Sequence, residues 1–417
     1  MAVVVMVVIA AVTPYWFGRE IENYYEAYID RIRHRQVLRV LTADFQRGWL
    51  ESRAHTVLEL SQPRLQIDIQ HRFGHGPLPQ ISAVRRDSGL APRMVDVISN
   101  LRIGSSVESA PIIISARVAL DGATQGQIDL PSAAMALDSQ RRLDTVASTG
   151  SFFFSPQGHV QLRFPLPKLA LVTPGGSLEL ENMVVEIKSS PNSYGMPLGD
   201  TTIDIERLHQ RNTTAATPTT ITEFELRSRL TDNIGILEYR LQAAAEGIAV
   251  VHDSRIYGPA TFELNIKGLD SAAIAGARDT LTAATPSAMN LLPLLVNILN
   301  TGQPSLHAAL DVQTSDGAID GRLVVQRQAG VTAANVLELL QVVQLNAHLL
   351  FPAAAANALL VAQRVGGVAN VEDARAQLQR WTDRGQLRRR ADGRYEITVR
   401  YANSELFVND ARLEPIQ

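Results

Sequence analysis

Residues 64–70 read Arg-Leu-Gln-Ile-Asp-Ile-Gln, with Leu65, Ile67 and Ile69 in step and a polar side chain between each pair. Successive side chains of a strand leave on opposite faces, so this spacing sets three aliphatic groups on one face and polar groups on the other. The same two-residue period returns in HVQLRF (159–164), LELENMVVEIK (178–188), TTIDIER (201–207), TEFELRS (222–228), ILEYRLQ (236–242), TFELNIK (261–267) and RYEITVR (394–400). Repetition on this scale predicts antiparallel sheets with one buried and one solvated face. Helical stretches interrupt the pattern instead of alternating with it: SAAIAGARDTL (271–281), SAMNLLPLLVNILN (287–300), a helix over 332–350 laid across the sheet, and VEDARAQLQRWTDRG (371–385) ending near Gly385. The expected class is therefore α+β, a strand-rich elongated body of largely antiparallel sheets with packed helices, and not a doubly wound parallel fold.

The chain opens MAVVVMVVIAAVTPYWFG, with no charged side chain before Arg19. Residues 1–18 are read as one transmembrane helix, near the lower length limit for a span, with Tyr15, Trp16 and Phe17 as interfacial aromatics; a buried N-terminal helix is the competing reading. No basic residue precedes the apolar run, and no cleavage pattern follows it, so a secretory signal peptide fits less well. Residues 19–50 are expected to form a juxtamembrane helical connector, 51–215 a first sheet-rich portion, and 216–417 a second with helical insertions. The break falls in HQRNTTAATPTT (209–220).

The chain has 417 residues, 46% of them hydrophobic, which suffices for one large core or several smaller ones. Its 39 basic and 42 acidic residues leave a net charge of -3, which offers no general attraction for nucleic acid. Zero cysteines exclude disulfides and every thiolate metal site. No cofactor or metal is expected.

Several segments resemble enzyme sites. HRFGHGPLP (71–79) carries His71 and His75 four residues apart, but Gly74, Gly76 and Pro77 oppose the helix that would align two imidazoles on a metal, so a shaped turn is the main reading. In QRGWLES (46–52), Trp49 is expected at the edge of a core, with recognition through Trp49, Arg47 and Glu51 as the alternative. Ser52 lacks the surroundings of a nucleophile. His252, Asp253 and Ser254 are adjacent in sequence, but strand alternation would separate them, so His75, His252 and Asp253 stand only as weak catalytic candidates. The acid pairs Asp200 with Asp204 and Asp316 with Asp320 fit solvated strands and turns. Arg388, Arg389 and Arg390 could contact anionic headgroups, although Glu372, Asp373 and Asp392 temper their field.

Gly48, Trp49 and Ser52 before the first clear strand, then His75, Gly76 and Pro77, LGDTTIDIERL (198–208) and GQLRRRADGRYEITVRYANSELFVND (385–410) together resemble the YdgA-like bacterial proteins of the DUF945 family. Asp410 stands where that family's terminal turn has glycine. The resemblance spans nearly the whole chain and implies an anchor in the inner membrane of a Gram-negative bacterium, with the large body in the periplasm. It carries no catalytic residues across. The functional expectation is an anchored periplasmic binding or scaffold protein that handles a phospholipid or an envelope protein, with an anchored hydrolase using a histidine and a carboxylate as the alternative. Nucleic acid is not an expected partner.

Overall fold

The structure, a computed structural model, describes residues 2–33, 38–60, 65–76, 93–104, 110–212, 219–250, 253–281, 288–328, 330–363 and 370–413. The chain forms two compact units, one of residues 1–191 and 203–216, the other of residues 192–202 and 217–417.

In the first unit a long helix, α1 (Ala2–Arg33), precedes an antiparallel meander of β1 (Leu38–Gln46), β2 (Glu51–Leu60), β3 (Leu65–His75), β4 (Arg93–Ile103), β5 (Ile112–Ala119) and β6 (Thr124–Leu130). A small hairpin, β7 (Ala133–Ala136) and β8 (Arg142–Thr145), follows, and β9 (Ser148–Phe154) returns to pair with β6. The long strand β10 (Val160–Thr173) pairs with β9 over Val160–Arg163 and with β8 over Leu169–Val172, while its other edge pairs with β11 (Gly176–Pro191). β12 (Pro197–Asn212) supplies residues to both units.

From Pro14 onward α1 is amphipathic. Pro14, Phe17, Gly18, Ile21, Tyr25, Ile29 and Ile32 are buried, a spacing of three and four that turns one stripe to the sheet. Tyr25, Ile29 and Ala54 form a core with Val40, Ala43, Phe45 and Phe73. Two expectations change here. Phe17 faces the protein and not a membrane interface, and the 19–50 connector is helical only to Arg33, since Leu38–Gln46 joins the sheet. Among the described residues, no helix is long and apolar enough to cross a membrane.

The second unit is also a meander. β13 (Thr219–Asn233) and β14 (Ile236–Ala245) form a hairpin, and β15 (Gly247–Val250) with β16 (Asp253–Tyr257) continues along β13. The ladder then runs from β14 through β17 (Ala260–Asp270), β18 (Ser305–Thr314), β19 (Gly317–Arg327), β20 (Val343–Phe351), β22 (Tyr395–Ala402) and β23 (Glu405–Val408) to β24 (Ala411–Leu413), with the short β21 (Arg388–Arg389) on β22. Helices α2 (Ser271–Leu281) and α3 (Ala288–Thr301) are inserted before β18, α4 (Val336–Val342) before β20, and α5 (Ala353–Gln363) and α6 (Val371–Asp383) after it. Asn335 and Asn370 cap α4 and α6 by accepting the backbone N–H of Glu338 and Asp373.

The helix expected over 332–350 is instead one short helix and a strand. Leu345, Ala347 and Leu349 alternate with Gln344, Asn346 and His348, so a two-residue period takes over at Val343 and pairs both edges of β20. α6 stops where predicted, with Gly385 in the left-handed region at φ 69°.

Candidate functional site

The residues singled out by sequence around His75 meet at one joint of the first unit, where α1 crosses the start of β2 and the end of β3. His75 is 2% exposed. Its Nδ1–H donates to the Trp49 carbonyl at 3.0 Å, and its backbone N–H donates to the Leu50 carbonyl at 2.8 Å. Nε2 makes no hydrogen bond of normal geometry, although the Pro14 carbonyl on α1 favours its protonated form. Burial outweighs these contacts and holds the imidazole below its ordinary pKa, so His75 is a neutral fastener for the 48–50 turn. Glycine is needed on every side. A Cβ on Gly48 would lie 2.1 Å from the Glu51 carbonyl oxygen, and one on Gly76 would lie 1.8 Å from that of Arg93.

Trp49 departs from its expected core position. It is exposed and packs at a tilt against Tyr15, with ring centroids 5.6 Å apart and an interplanar angle of 38°, while Arg47 sits 5.1 Å over Tyr15 and pairs with Glu22 of α1 at 2.8 Å. Ser52 is fully buried and accepts the Gly48 N–H through Oγ. Glu51 is held by Arg72 and Arg53, whose guanidinium groups lower its pKa. Among the described residues no hydroxyl or carboxylate side chain hydrogen-bonds to His75.

His71 lies on the same face of β3, two pleat repeats from His75 with Phe73 between them. It shares a hydrogen bond of 2.7 Å with Ser99 and stacks on Phe73, and burial lowers its pKa to about 4. Tyr25 of α1 shares a 2.8 Å hydrogen bond with Thr56 nearby. These polar groups are satisfied inside the packing, and among the described residues no His, Asp or Glu cluster could hold a metal ion.

The remaining candidates scatter. Pro77 and His252 lie outside the described residues. Asp253 opens β16 opposite Val250. Asp200 pairs with Arg229, and Asp320 with Arg322. Arg388 and Arg390 face Asp410 and Glu396 at 3.4 and 3.5 Å, and Arg394 pairs with Asp392, so acids are interleaved through the basic run; Arg389 is exposed.

The structure also has two surface concavities. In the first unit, on the sheet face opposite α1, a trough of about 960 Å³ crosses β3 to β11. Register sets Arg117, Gln125, Phe153, Gln161 and Lys188 in one row, and Ile98, Ser115, Gln127, Ser151 and Arg163 in the next. The lining is mixed, with Ile98, Ile113, Phe152, Phe153 and Leu162 standing among charged, amide and hydroxyl side chains.

In the second unit a shallower groove of about 230 Å³ is apolar along almost its whole length. One row runs Phe262, Leu310, Gly321, Leu349 and Ile397 across five strands, and the next runs Ala308, Leu323, Ala347 and Val399. Small and larger residues alternate in the second row, and in the first Gly321 makes the dent between Leu310 and Leu349. On the same face of β20, Val343 packs with the α3 and α4 cluster of Val296, Leu339 and Val342, while Phe351 packs with the α5 and α6 cluster around Leu360 and Leu378. The helical insertions cover the two ends of this face and leave the middle open. Glycine inside a period-two run was the available signal for both Gly321 and the close approach under Phe152 at Gly126.

The model of the family described as "Bacterial protein of unknown function (DUF945)" matches residues 1–415, and the chain belongs to that family. No curated protein and no solved structure matches it.

Proposed function

We propose that this DUF945 protein is an inner-membrane-anchored periplasmic binding protein whose second unit takes up an acyl chain of an envelope lipid. The observation that carries this reading is the open apolar row Phe262–Leu310–Gly321–Leu349–Ile397. Aliphatic side chains left half-exposed on one contiguous sheet face favour an apolar ligand, since each buried methylene contributes about 0.8 kcal/mol. A groove of about 230 Å³ is smaller than the roughly 300–1,000 Å³ of a closed small-molecule pocket, and being open it suits one segment of an extended chain. The uncharged opening of the chain, residues 1–18, supports the anchor, and holding the body beside the bilayer brings acyl chains within reach.

Native mass spectrometry of the full chain, gently extracted from its own membrane and coupled to lipid and protein identification, tests the reading. A stoichiometric lipid that resists detergent exchange is expected. A reproducible protein partner with no such lipid would replace lipid handling with an envelope scaffold.

A further inference from the structure

The joint around His75 exists to display apolar surface. Trp49 and Leu50, in the turn between β1 and β2, are 55% and 65% exposed, and beside them on α1 Tyr15 and Trp16 are 43% and 54% exposed. A buried histidine grips both carbonyls of that turn, the Gly48 N–H is tied to Ser52, and Gly48 permits a backbone approach that no side chain could. A rigidly backed pair of large apolar side chains, packed through the tilted Trp49–Tyr15 ring contact onto a helix, is a presented surface and not an accident of loop exposure.

The occupant follows from continuity with α1. The same helix runs back to Ala2, and residues 2–12 are all apolar. From Ala2 to Phe17 an α-helix rises about 24 Å, against about 30 Å of hydrocarbon in a typical bilayer. A short span is accommodated by drawing its flanking surface into the interface, where tryptophan and tyrosine are favoured because each has an apolar body and one polar hydrogen. The first charges, Arg19 and the Arg47–Glu22 pair, come directly behind the aromatics, at the level where headgroups begin.

We infer that the β1–β2 turn is a membrane-interface foot, with Trp49 and Leu50 entering the headgroup–acyl boundary of the bilayer that α1 enters. This rests on the anchor reading above. The foot sets the first unit at a defined height and tilt on the membrane, which an anchor followed by a flexible linker would not do.

The test uses the full-length protein in phosphatidylcholine and phosphatidylglycerol vesicles containing lipids brominated either near the headgroup end or near the chain end. Trp16, Trp49 and Trp381 are the three tryptophans of the chain. In the W16F/W381F variant, Trp49 emission is expected to shift to the blue on reconstitution and to lose most intensity with bromines near the headgroup. Comparing wild type with W49F gives the same readout without touching Trp381. Trp49 emission that is neither shifted nor quenched, in a protein that resists alkaline extraction, overturns the foot and leaves the anchor standing. Release by alkaline carbonate overturns the anchor reading and the foot with it.

Discussion

Gly18 of α1 lies against the ring of His75: a Cβ at position 18 would stand 2.7 Å from Cε1 of the imidazole. The helix therefore crosses the end of β3 at a distance that only glycine allows, and His75 is clamped between α1 and the turn it holds. Gly18→Ala is expected to destabilise the first unit by about 1–3 kcal/mol through overpacking, even though alanine is the better helix former by about 1 kcal/mol. Combining Gly18→Ala with His75→Ala should cost less than the sum of the two single changes, because removing the ring removes the clash. Urea unfolding of the four proteins in detergent measures this, and strictly additive costs would show that the two residues do not press on each other.

His71 makes stability depend on pH. Its folded-state pKa of about 4 lies below the ordinary 6.5 because burial disfavours the imidazolium, so the unfolded chain binds the proton more readily. The contribution is full above about pH 6.5 and is lost as pH falls towards 4, a change of about 3 kcal/mol. His75 shifts in the same direction. Asp96 opposes them, since burial raises its pKa and acidification relieves the buried carboxylate. Unfolding free energies between pH 7 and pH 4 should fall for the wild type and fall less for His71→Gln; parallel curves would remove His71 from the account.

Gly321→Leu separates the groove from the fold. A Cβ there meets Leu310 Cβ and Leu349 Cδ1 at 3.4 Å, ordinary van der Waals contact, and φ at this position is not in the left-handed region. The variant should keep its melting temperature while occupying the dent and reducing the lipid recovered with the protein. Undiminished lipid in a folded G321L protein would place the ligand elsewhere.

Asp232 is a hub of the second unit. It accepts from Asn192 Nδ2 at 2.7 Å, from Ser271 Oγ at 2.8 Å and from the Gly235 N–H at 2.8 Å, and the hydrogen bond from Ser271 leads the effects that lower its pKa. It thereby ties the 192–196 turn and the start of α2 to the β13–β14 hairpin. Asp232→Ala should destabilise by about 1–3 kcal/mol, with Asp232→Asn recovering part of that because the amide oxygen can still accept. Thermal unfolding decides, and an unchanged midpoint for Asp232→Ala would show that the hub bears no weight.

Ile234 is 98% exposed at φ 52°, next to Gly235 at φ 82°, in the turn between β13 and β14. Two positive φ values suit a two-residue hairpin turn, but a β-branched side chain is strained there. Ile234→Asn should therefore raise stability by several tenths of a kcal/mol, read as a higher urea midpoint. A lower midpoint would mean that the isoleucine makes a contact that holds the turn.

How much was legible can be judged from particular segments. RLQIDIQ, TFELNIK and RYEITVR reported their own faces, because the two-residue period is local and needs no knowledge of the neighbour. The 371–385 helix announced its end, with Gly385 able to turn. The strand at 343–351 was hidden by a longer apolar run on either side, and Trp49 looked like core because hydrophobicity carries no information about which turn is held open.

The sequence by itself determined the class of this protein, its strand faces and its uncharged N-terminal run, since each is written in spacing along the chain. Only the tertiary structure decided that Gly18 meets His75, that Trp49 is displayed and that Gly321 lies between Leu310 and Leu349. The physical reason is register: periodicity says which way a side chain points, whereas the order and offset of paired strands decide what it meets. The groove row draws Phe262, Leu310, Gly321, Leu349 and Ile397 from five separate strands, and no local pattern encodes their meeting.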